Sequence, residues 1–364
     1  MAAGVELFHS SDGAGYADIT INGHRQTLSI KGKVFRRWLA RRYYETTKSA
    51  PRSEALTSAL NVIEAKADFD SDERQVFIRV GAWDGKIYLD LCNHTWRAVE
   101  IDAAGWRLID KPPVWFRRTN GMLPLPTPIL GGSVKSLRAF LNLKSDNDFV
   151  LVVAWLVAPL RNSGPYPVLA LSGEQGSAKS TLTAILRELL DPNTAPLRAL
   201  PREDRDLFIA ATNGHVLAFD NVSGLPAWLS DTLCRLATGG GFAVRQLYTD
   251  NDEVLFSAMR PVILNGIEDI VTRPDLADRA IFITLEAIPE DKRKPEGELW
   301  TAFGHERPKV LGALLTALSR GLRNLPTTKL ATLKRPAGAG LGHPSSRACS
   351  RPASSARGSR ARDG

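Results

Sequence analysis

Eight consecutive residues, Gly173-Glu174-Gln175-Gly176-Ser177-Ala178-Lys179-Ser180, have the types and spacing to hold a phosphorylated nucleotide. Gly173 and Gly176 let the backbone curl so that its N–H groups face inward. A helix that begins directly behind them adds its partial positive charge. Lys179 can reach the β- and γ-phosphates, and the Ser180 hydroxyl can ligate Mg²⁺. Ala178 stands where a second Gly is usual, and it is expected to be accommodated with a negative φ, as at a helix start. The phosphate-contacting stretch runs from Gly173 to Thr181.

Hydrolysis needs more than a phosphate loop. His215–Asp220 reads as an apolar strand ending in an acid, which puts Asp220 at the carboxyl edge of a parallel sheet beside the Mg²⁺ held by Ser180. Asn221 follows, where many ATPases carry a Glu; an amide cannot accept a proton, so hydrolysis is slow or the base comes from elsewhere. Pro261–Asn265 is a second apolar strand ending in a polar amide, and Asn265 can orient an attacking water there. Arg273 and Arg279 lie in the segment that follows, and either can neutralise transition-state charge. Between the two strands, Val244–Ser257 alternates on both sides of Thr249–Asp252 and reads as a β-hairpin with Arg245 at its base.

These residues must be positioned by strands and helices. Val168–Leu171, Leu197–Leu200, Val216–Asp220, Val262–Asn265 and Ala280–Leu285 are the expected strands of a five-stranded parallel sheet. Ser133–Leu143 reads as a helix, and Ser145 caps a very apolar one with Asp146 and Asp148 in its first turn. Leu299–Phe303 and Lys309–Leu325 read as two helices of a lid. Upstream, Asn22-Gly23 marks a hairpin. Lys31–Thr47 is a basic helix with Val34 and Trp38, and then Leu39, turned inward, and Ser53–Ala67 is a second helix. The basic face of the first suits either solvent or a phosphate backbone. Asp68–Glu73 reads as a solvated acidic turn rather than a calcium loop, because Glu73 stands where the sixth-position Gly is needed. Residues 75–118 form a β-meander whose tryptophans, Trp83, Trp96, Trp106 and Trp115, are expected in a small core. Pro112–Pro128 is proline-rich and reads as a linker.

Composition bounds the partners. The chain has 364 residues, 43% of them hydrophobic, and three widely spaced cysteines with no metal or redox spacing, which fits a cytoplasmic location. No apolar run is long enough to span a bilayer, so no membrane partner is expected. The net charge of +8 is mostly a property of the end of the chain, since residues 333–364 carry seven Lys/Arg and one acid. That end has no period and is expected to be disordered. It reads either as a basic arm for nucleic acid or as a frameshifted end replacing more of the lid.

Taken together, GEQGSAKST (173–181), PREDRDL (201–207), HVLAFDN (215–221), GGGFAVRQLYTD (239–250), PVILNG (261–266) and RPDLADRAIFITL (273–285) resemble the phosphate-loop ATPases of helicase superfamily 3, within the AAA+ class. The likeness is greatest to phage- and plasmid-borne ATPases that accompany primases, and it covers residues 160–290. It implies an α/β P-loop NTPase domain of AAA+ type at 133–330. A small α+β domain (1–130) would precede it, and a disordered basic tail (331–364) would follow. It implies ATP and Mg²⁺ as cofactors, with Lys179, Ser180, Asp220 and Asn265 as the Walker A, Walker B and first-sensor residues. Arg279 resembles the finger offered to a neighbouring subunit, and the hairpin with Arg245 resembles the loop that grips DNA in a ring's channel. The implied function is a helicase-like motor acting on DNA in mobile-element replication; the alternative is a slow-hydrolysing, nucleotide-dependent DNA-binding or regulatory module. Self-association into a ring, with a hexamer among the sizes open, and a primase partner belong to the same resemblance. Residues 1–130 hold no recognisable primase site.

Overall fold

A computed structural model describes residues 4–240, 242–245, 253–256, 259–267 and 270–329. The chain opens with an antiparallel sheet of β1 (Glu6–His9), β2 (Gly15–Ile21) and β3 (His24–Ser29). Asn22 and Gly23, at φ 50° and 81°, make the left-handed turn between β2 and β3. Helices α1 (Lys33–Thr47) and α2 (Ser53–Phe69) pack on this sheet through Phe35, Leu39, Ile63 and Ala67. The inward stripe of α1 is Phe35 and Leu39 rather than the expected Val34, which is 47% exposed. A turn closed by Gly32 N–H onto the Ser29 carbonyl leads into the helix, and Leu39 and Trp38 pack inward as expected.

Six short strands follow: β4 (Val76–Phe77), β5 (Val80–Trp83), β6 (Lys86–Asp90), β7 (Ala98–Ile101), β8 (Trp106–Ile109) and β9 (Trp115–Phe116). β5 to β8 are the expected antiparallel meander, and β4 pairs with β9 in parallel. Trp106 packs against the main core and donates its Nε1–H to Thr316 Oγ1 at 3.0 Å. Trp83 departs from the expectation, being 59% exposed at the β5–β6 turn. The proline-rich stretch expected as a linker is tied down instead. Leu125 N–H donates to the Leu91 carbonyl and Leu123 N–H to the Pro192 carbonyl, both at 2.9 Å, and Met122 and Leu125 are buried.

The helix expected at Ser133–Leu143 is present as a 3₁₀ helix, Val134–Phe140. It is followed by α3 (Asp146–Val157), whose N-terminus carries a capping box between Ser145 and Asp148. Then come β10 (Val168–Gly173), α4 (Lys179–Leu190), α5 (Asp204–Asn213), β11 (Leu217–Phe219), α6 (Ala227–Thr238), β12 (Phe242–Arg245), β13 (Glu253–Phe256), β14 (Val262–Asn265), α7 (Pro274–Ala277), β15 (Ala280–Leu285) and α8 (Glu296–Asn324).

The parallel sheet has the order β11-β14-β10-β15. Among the described residues it has four strands, not five. Leu197–Leu200 adds only a one-residue bridge, in which Arg198 N–H donates to the Ala218 carbonyl and the Arg198 carbonyl accepts from Asp220 N–H. Pro196 and Pro201 bracket that segment and remove the donors a longer ladder would need. The pleat sends alternate side chains to opposite faces. Leu169 and Leu171 enter a core shared with α3, α4, α8 and the meander. Val168 and Ala170 enter a second core with α5, α6 and α7. A sheet covered on both faces is what a parallel ladder requires.

β12 and β13 pair antiparallel from Phe242↔Phe256 to Arg245↔Glu253, as the hairpin reading expected. Its turn, the side chain of Arg245 and the 331–364 tail lie outside the described residues. The two lid helices are one: α8 runs through Pro308 without a break. Its apolar face, Phe303 on one side of the proline and Val310, Leu311, Leu314, Leu315 and Leu318 on the other, is buried along one line, and that burial outweighs the lost backbone donor.

Candidate functional site

The phosphate loop leaves the carboxyl end of β10 and turns into α4. Gly173 (φ 151°) and Gly176 (φ 81°) both take conformations that L side chains rarely adopt. At Gly176 the positive φ is what favours glycine, while a Cβ there would meet only the flexible tip of Arg293, 2.7 Å away. Ala178 corrects the expectation made for it. Its φ is 61° and its ψ is 32°, so it sits in the left-handed region at the N-cap of α4, where an alanine is strained. The loop geometry overrides the residue's own preference.

Lys179 folds its ammonium back over the loop. Nζ donates to the carbonyls of Gly173 (2.6 Å) and Glu174 (2.8 Å) and to Ser177 Oγ (3.2 Å). Partial burial pushes its pKa below the ordinary lysine value, and the Asp220 carboxylate pulls it back up. Ser177 is fully buried and donates to the Glu174 carbonyl, which fixes the loop's curl.

Asp220 follows β11 directly and accepts from Ser180 Oγ at 3.1 Å. The two oxygens come from the α4 N-terminus and the sheet edge. Both are hard donors, and their separation is close to the ~3 Å between neighbouring oxygens around a six-coordinate Mg²⁺. The pair therefore fits the ion that a bound triphosphate brings. Asn221, at φ 55°, turns the chain sharply after Asp220, and its N–H reaches Asp220 Oδ1 (2.8 Å) and Asn265 Oδ1 (3.2 Å). Asn265 ends β14 and is 1% exposed. Its Nδ2 donates to Thr183 Oγ1 (3.0 Å) on α4. Asn265 thus locks the edge of one strand to the next strand and to the helix behind the loop.

The structure brings together residues 173–181, Asp220 and Asn265, and places the arginines elsewhere. Arg279 precedes β15, and its carbonyl accepts from Val168 N–H at the amino end of β10. It therefore lies at the opposite edge of the sheet from its own phosphate loop, with its guanidinium on the Asp275 carbonyl. Arg273 pairs with Asp231 at 2.9 Å.

Two contributors were missed by sequence reasoning. Arg293 lies against Gly176 and donates Nε–H to the Ile288 carbonyl (3.1 Å), while Ile288 N–H donates to the Gly176 carbonyl (3.2 Å). Asn142 Nδ2 donates to the carbonyls of Ser177 (3.1 Å) and Glu286 (2.7 Å), bridging the loop to the segment after β15. These residues line a cavity of about 800 Å³ beside the loop, with Lys292 and Lys294 at its rim. The signal was the Lys292-Arg293-Lys294 run after the last strand, whose position at the loop depends on how the chain returns from β15. A cavity of this size, flanked by the backbone of the loop and by cations, is in the range that small-molecule ligands occupy. Among the described residues, no group of three or more His, Cys, Asp or Glu is placed to hold a metal, and no helix is long and apolar enough to cross a membrane.

Residues 134–334 match the family model of the actinomycete integrative conjugative element replication protein. That match takes in the loop, its sheet and α8, and the chain belongs to this family of replication proteins. No curated protein matches the chain. Among solved structures, it is similar to the apo A form of the NrS-1 C-terminal region, at 13% identity and a TM-score of 0.48, over 86% of this chain and 66% of that one. It is also similar to JCV helicase bound to a thiazolopyridinyl-phenoxyphenyl acetamide, at 14% identity and a TM-score of 0.32, over 51% of this chain and 52% of that one. The chain thus spans just under two thirds of the length of the first of these structures.

Proposed function

We propose that this replication protein is an ATPase that binds ATP with Mg²⁺ on the 173–181 loop and works on DNA as a helicase-like motor in mobile-element replication. The observation that carries the reading is the Ser180–Asp220 pair, which joins the phosphate loop to the carboxyl edge of a parallel sheet. When bound, the ion would neutralise charge on the β- and γ-phosphates. Lys179 would leave its loop carbonyls for those phosphates, and Asp220 and Asn265 would hold the sheet edge in register behind them. The cavity beside Asn142 and Arg293 would take the ribose and base.

Arg279 supports a ring. It stands at the far edge of the sheet from its own loop, so any nucleotide it served would belong to a neighbouring subunit. Arginines acting this way contribute on the order of 10³–10⁵ in rate. The Arg279→Ala protein is expected to bind ATP and fail to hydrolyse it, and to regain turnover when mixed with Lys179→Ala protein. Normal turnover of the single variant would remove the role.

The reading as a whole is tested by steady-state ATP turnover with and without single-stranded DNA. A motor gives a DNA-stimulated rate that vanishes in Asp220→Ala. The second reading, a slow nucleotide-dependent switch, is favoured by Asn221 beside Asp220, and it gives ATP binding with a low rate indifferent to DNA.

A further inference from the structure

The exposed face of α1 lies outside the family match and outside the nucleotide site. Residues 31–52 hold eight Lys/Arg and a single acid, Glu45. With the 333–364 end also strongly basic and the whole chain at only +8, the rest of the protein is net acidic. The basic surplus of the described residues is therefore gathered on one helix and its flanks.

The arrangement on that helix is regular. Lys33, Arg37 and Arg41 follow one another at four-residue intervals, with Arg36 beside them, and all four are exposed. Residues so spaced share one face of a helix. Phe35 and Leu39 hold the opposite face against the three-stranded sheet. Tyr44, 56% exposed, continues the outward row. Arg41 has a partner in Glu45 (2.8 Å), and Lys31, at the foot of the helix, has one in Glu64 (2.6 Å). Among the described residues, Arg37 Nε–H reaches only the Lys33 carbonyl. α1 and α2 together carry four acids, Glu45, Glu54, Glu64 and Asp68, against the eight Lys/Arg of residues 31–52, and two of the four pair with Arg41 and Lys31. Like charges at four-residue spacing destabilise a helix, so a solvated face with no partner would gain from mixed signs.

We infer that the outer face of α1 is a second DNA contact, binding the phosphate backbone through Lys33, Arg36, Arg37 and Arg41. Contacts of this kind carry no sequence information; they anchor and orient the protein on the strand. The inference rests on the proposed work on DNA and adds a site remote from the nucleotide. It anchors the substrate by a part of the chain that does not hydrolyse ATP.

The test uses the full chain and labelled single-stranded and duplex DNA oligonucleotides, with binding followed by fluorescence anisotropy over a salt series. The variant is Lys33→Gln/Arg37→Gln/Arg41→Gln, whose side chains are exposed, with thermal melting as the folding control. DNA affinity is expected to fall at least tenfold at low salt. The salt slope should flatten by about 2 on single strands, at roughly 0.7 per lost phosphate contact, and slightly more on duplex. ATP turnover without DNA should be unchanged. An Arg37→Lys/Arg41→Lys variant should keep the slope, because the contact needs charge rather than a fixed fork. Equal affinity and slope in the triple-Gln variant and the unaltered protein would overturn the assignment, leaving the face to an acidic protein partner or to solvent. If the unaltered protein binds no DNA, this assignment and the proposed motor fall together. If it binds DNA and only the variant result fails, the motor reading stands.

Discussion

The two ends of α4 are built on opposite principles. At its amino end, Lys179 and Ser180 make contacts that a ligand can replace: an ammonium on loop carbonyls and a hydroxyl on Asp220. At its carboxyl end, Arg187 and Asp191 are buried with Arg79 in a network open to no ligand. Asp191 accepts from Arg79 Nε (3.0 Å), from His215 N–H (2.9 Å) and from Val216 N–H (3.2 Å). Burial alone would raise the Asp191 carboxyl, but Arg79 and Arg187, with His215, hold it below its usual value. Arg79 in turn donates to the carbonyls of Asp90 and Leu123, so one guanidinium fastens the meander and the proline-rich stretch to the end of the phosphate-loop helix. If the loop takes ATP as proposed, α4 releases contacts at one end while buried charge pairs hold it at the other.

Breaking the anchored end should cost most. Asp191→Ala strands two buried guanidinium groups, and loss of one partner from a buried pair destabilises by about 3–5 kcal/mol. Urea unfolding should show the loss, and a change below about 1 kcal/mol would mean that the anchor is not structural. His215 gives a pH handle on the same end. It is buried with Nε2 against the Pro159 carbonyl at 2.6 Å, and burial pushes its pKa down to about 4. The folded histidine stays neutral while the unfolded one protonates near 6.5, so stability is present above pH 6.5 and is lost as pH falls toward 4. The loss integrates to roughly 3 kcal/mol. His215→Gln should flatten that slope in thermal melts between pH 7 and 4, and an unaltered slope would assign the acid sensitivity to another group.

The open end gives smaller effects on stability and larger ones on ligand. Lys179→Ala should leave the melt nearly unchanged and weaken ATP at least tenfold, in keeping with the roughly 1.5–3 kcal/mol of a charged hydrogen bond. Calorimetric titration with unchanged affinity would remove Lys179 from the site. Ala178→Gly sharpens the comparison most finely. Relieving a left-handed alanine should stabilise by on the order of 1 kcal/mol, a rise of about 2 °C in Tm. A fall in Tm would mean that the chain gains more from alanine's stiffness in the unfolded state than it loses to strain.

The sequence made the loop and its carboxylate legible because both are local. Gly173 to Ser180 is one turn, and Asp220 ends a short apolar run of the kind that forms a buried strand. Asn265 was legible as a residue at a strand end, but its partners were not, because Thr183 and Asn221 come from two other elements. The anchored cluster was invisible for the same reason: Arg79 and Asp191 are 112 positions apart, and nothing in either neighbourhood marks a buried charge. α8 was read as two helices because Pro308 is a local signal, whereas the apolar line crossing it depends on the core it meets. Arg293 was overlooked because a charge run after a strand looks like solvent-facing loop until the chain's return path is known.

The proline-rich stretch and α8 meet where neither has room for a side chain. A Cβ on Gly132 would collide with the Lys309 carbonyl and one on Gly312 with the Ile129 carbonyl, while Ile129 N–H donates to the Pro308 carbonyl at 3.0 Å. Backbone pressed on backbone at two points, with a hydrogen bond beside them, behaves like a toothed coupling: it has one seating and cannot slip by a fraction of a turn. The 3₁₀ segment Val134–Phe140 lies on α8 just beyond these teeth, and Asn142 at its end grips both the Ser177 carbonyl and the Glu286 carbonyl. Through Asn142 the backbone of the loop and the segment after β15 are thus tied to a piece of chain that the 29-residue α8 holds in a single seating.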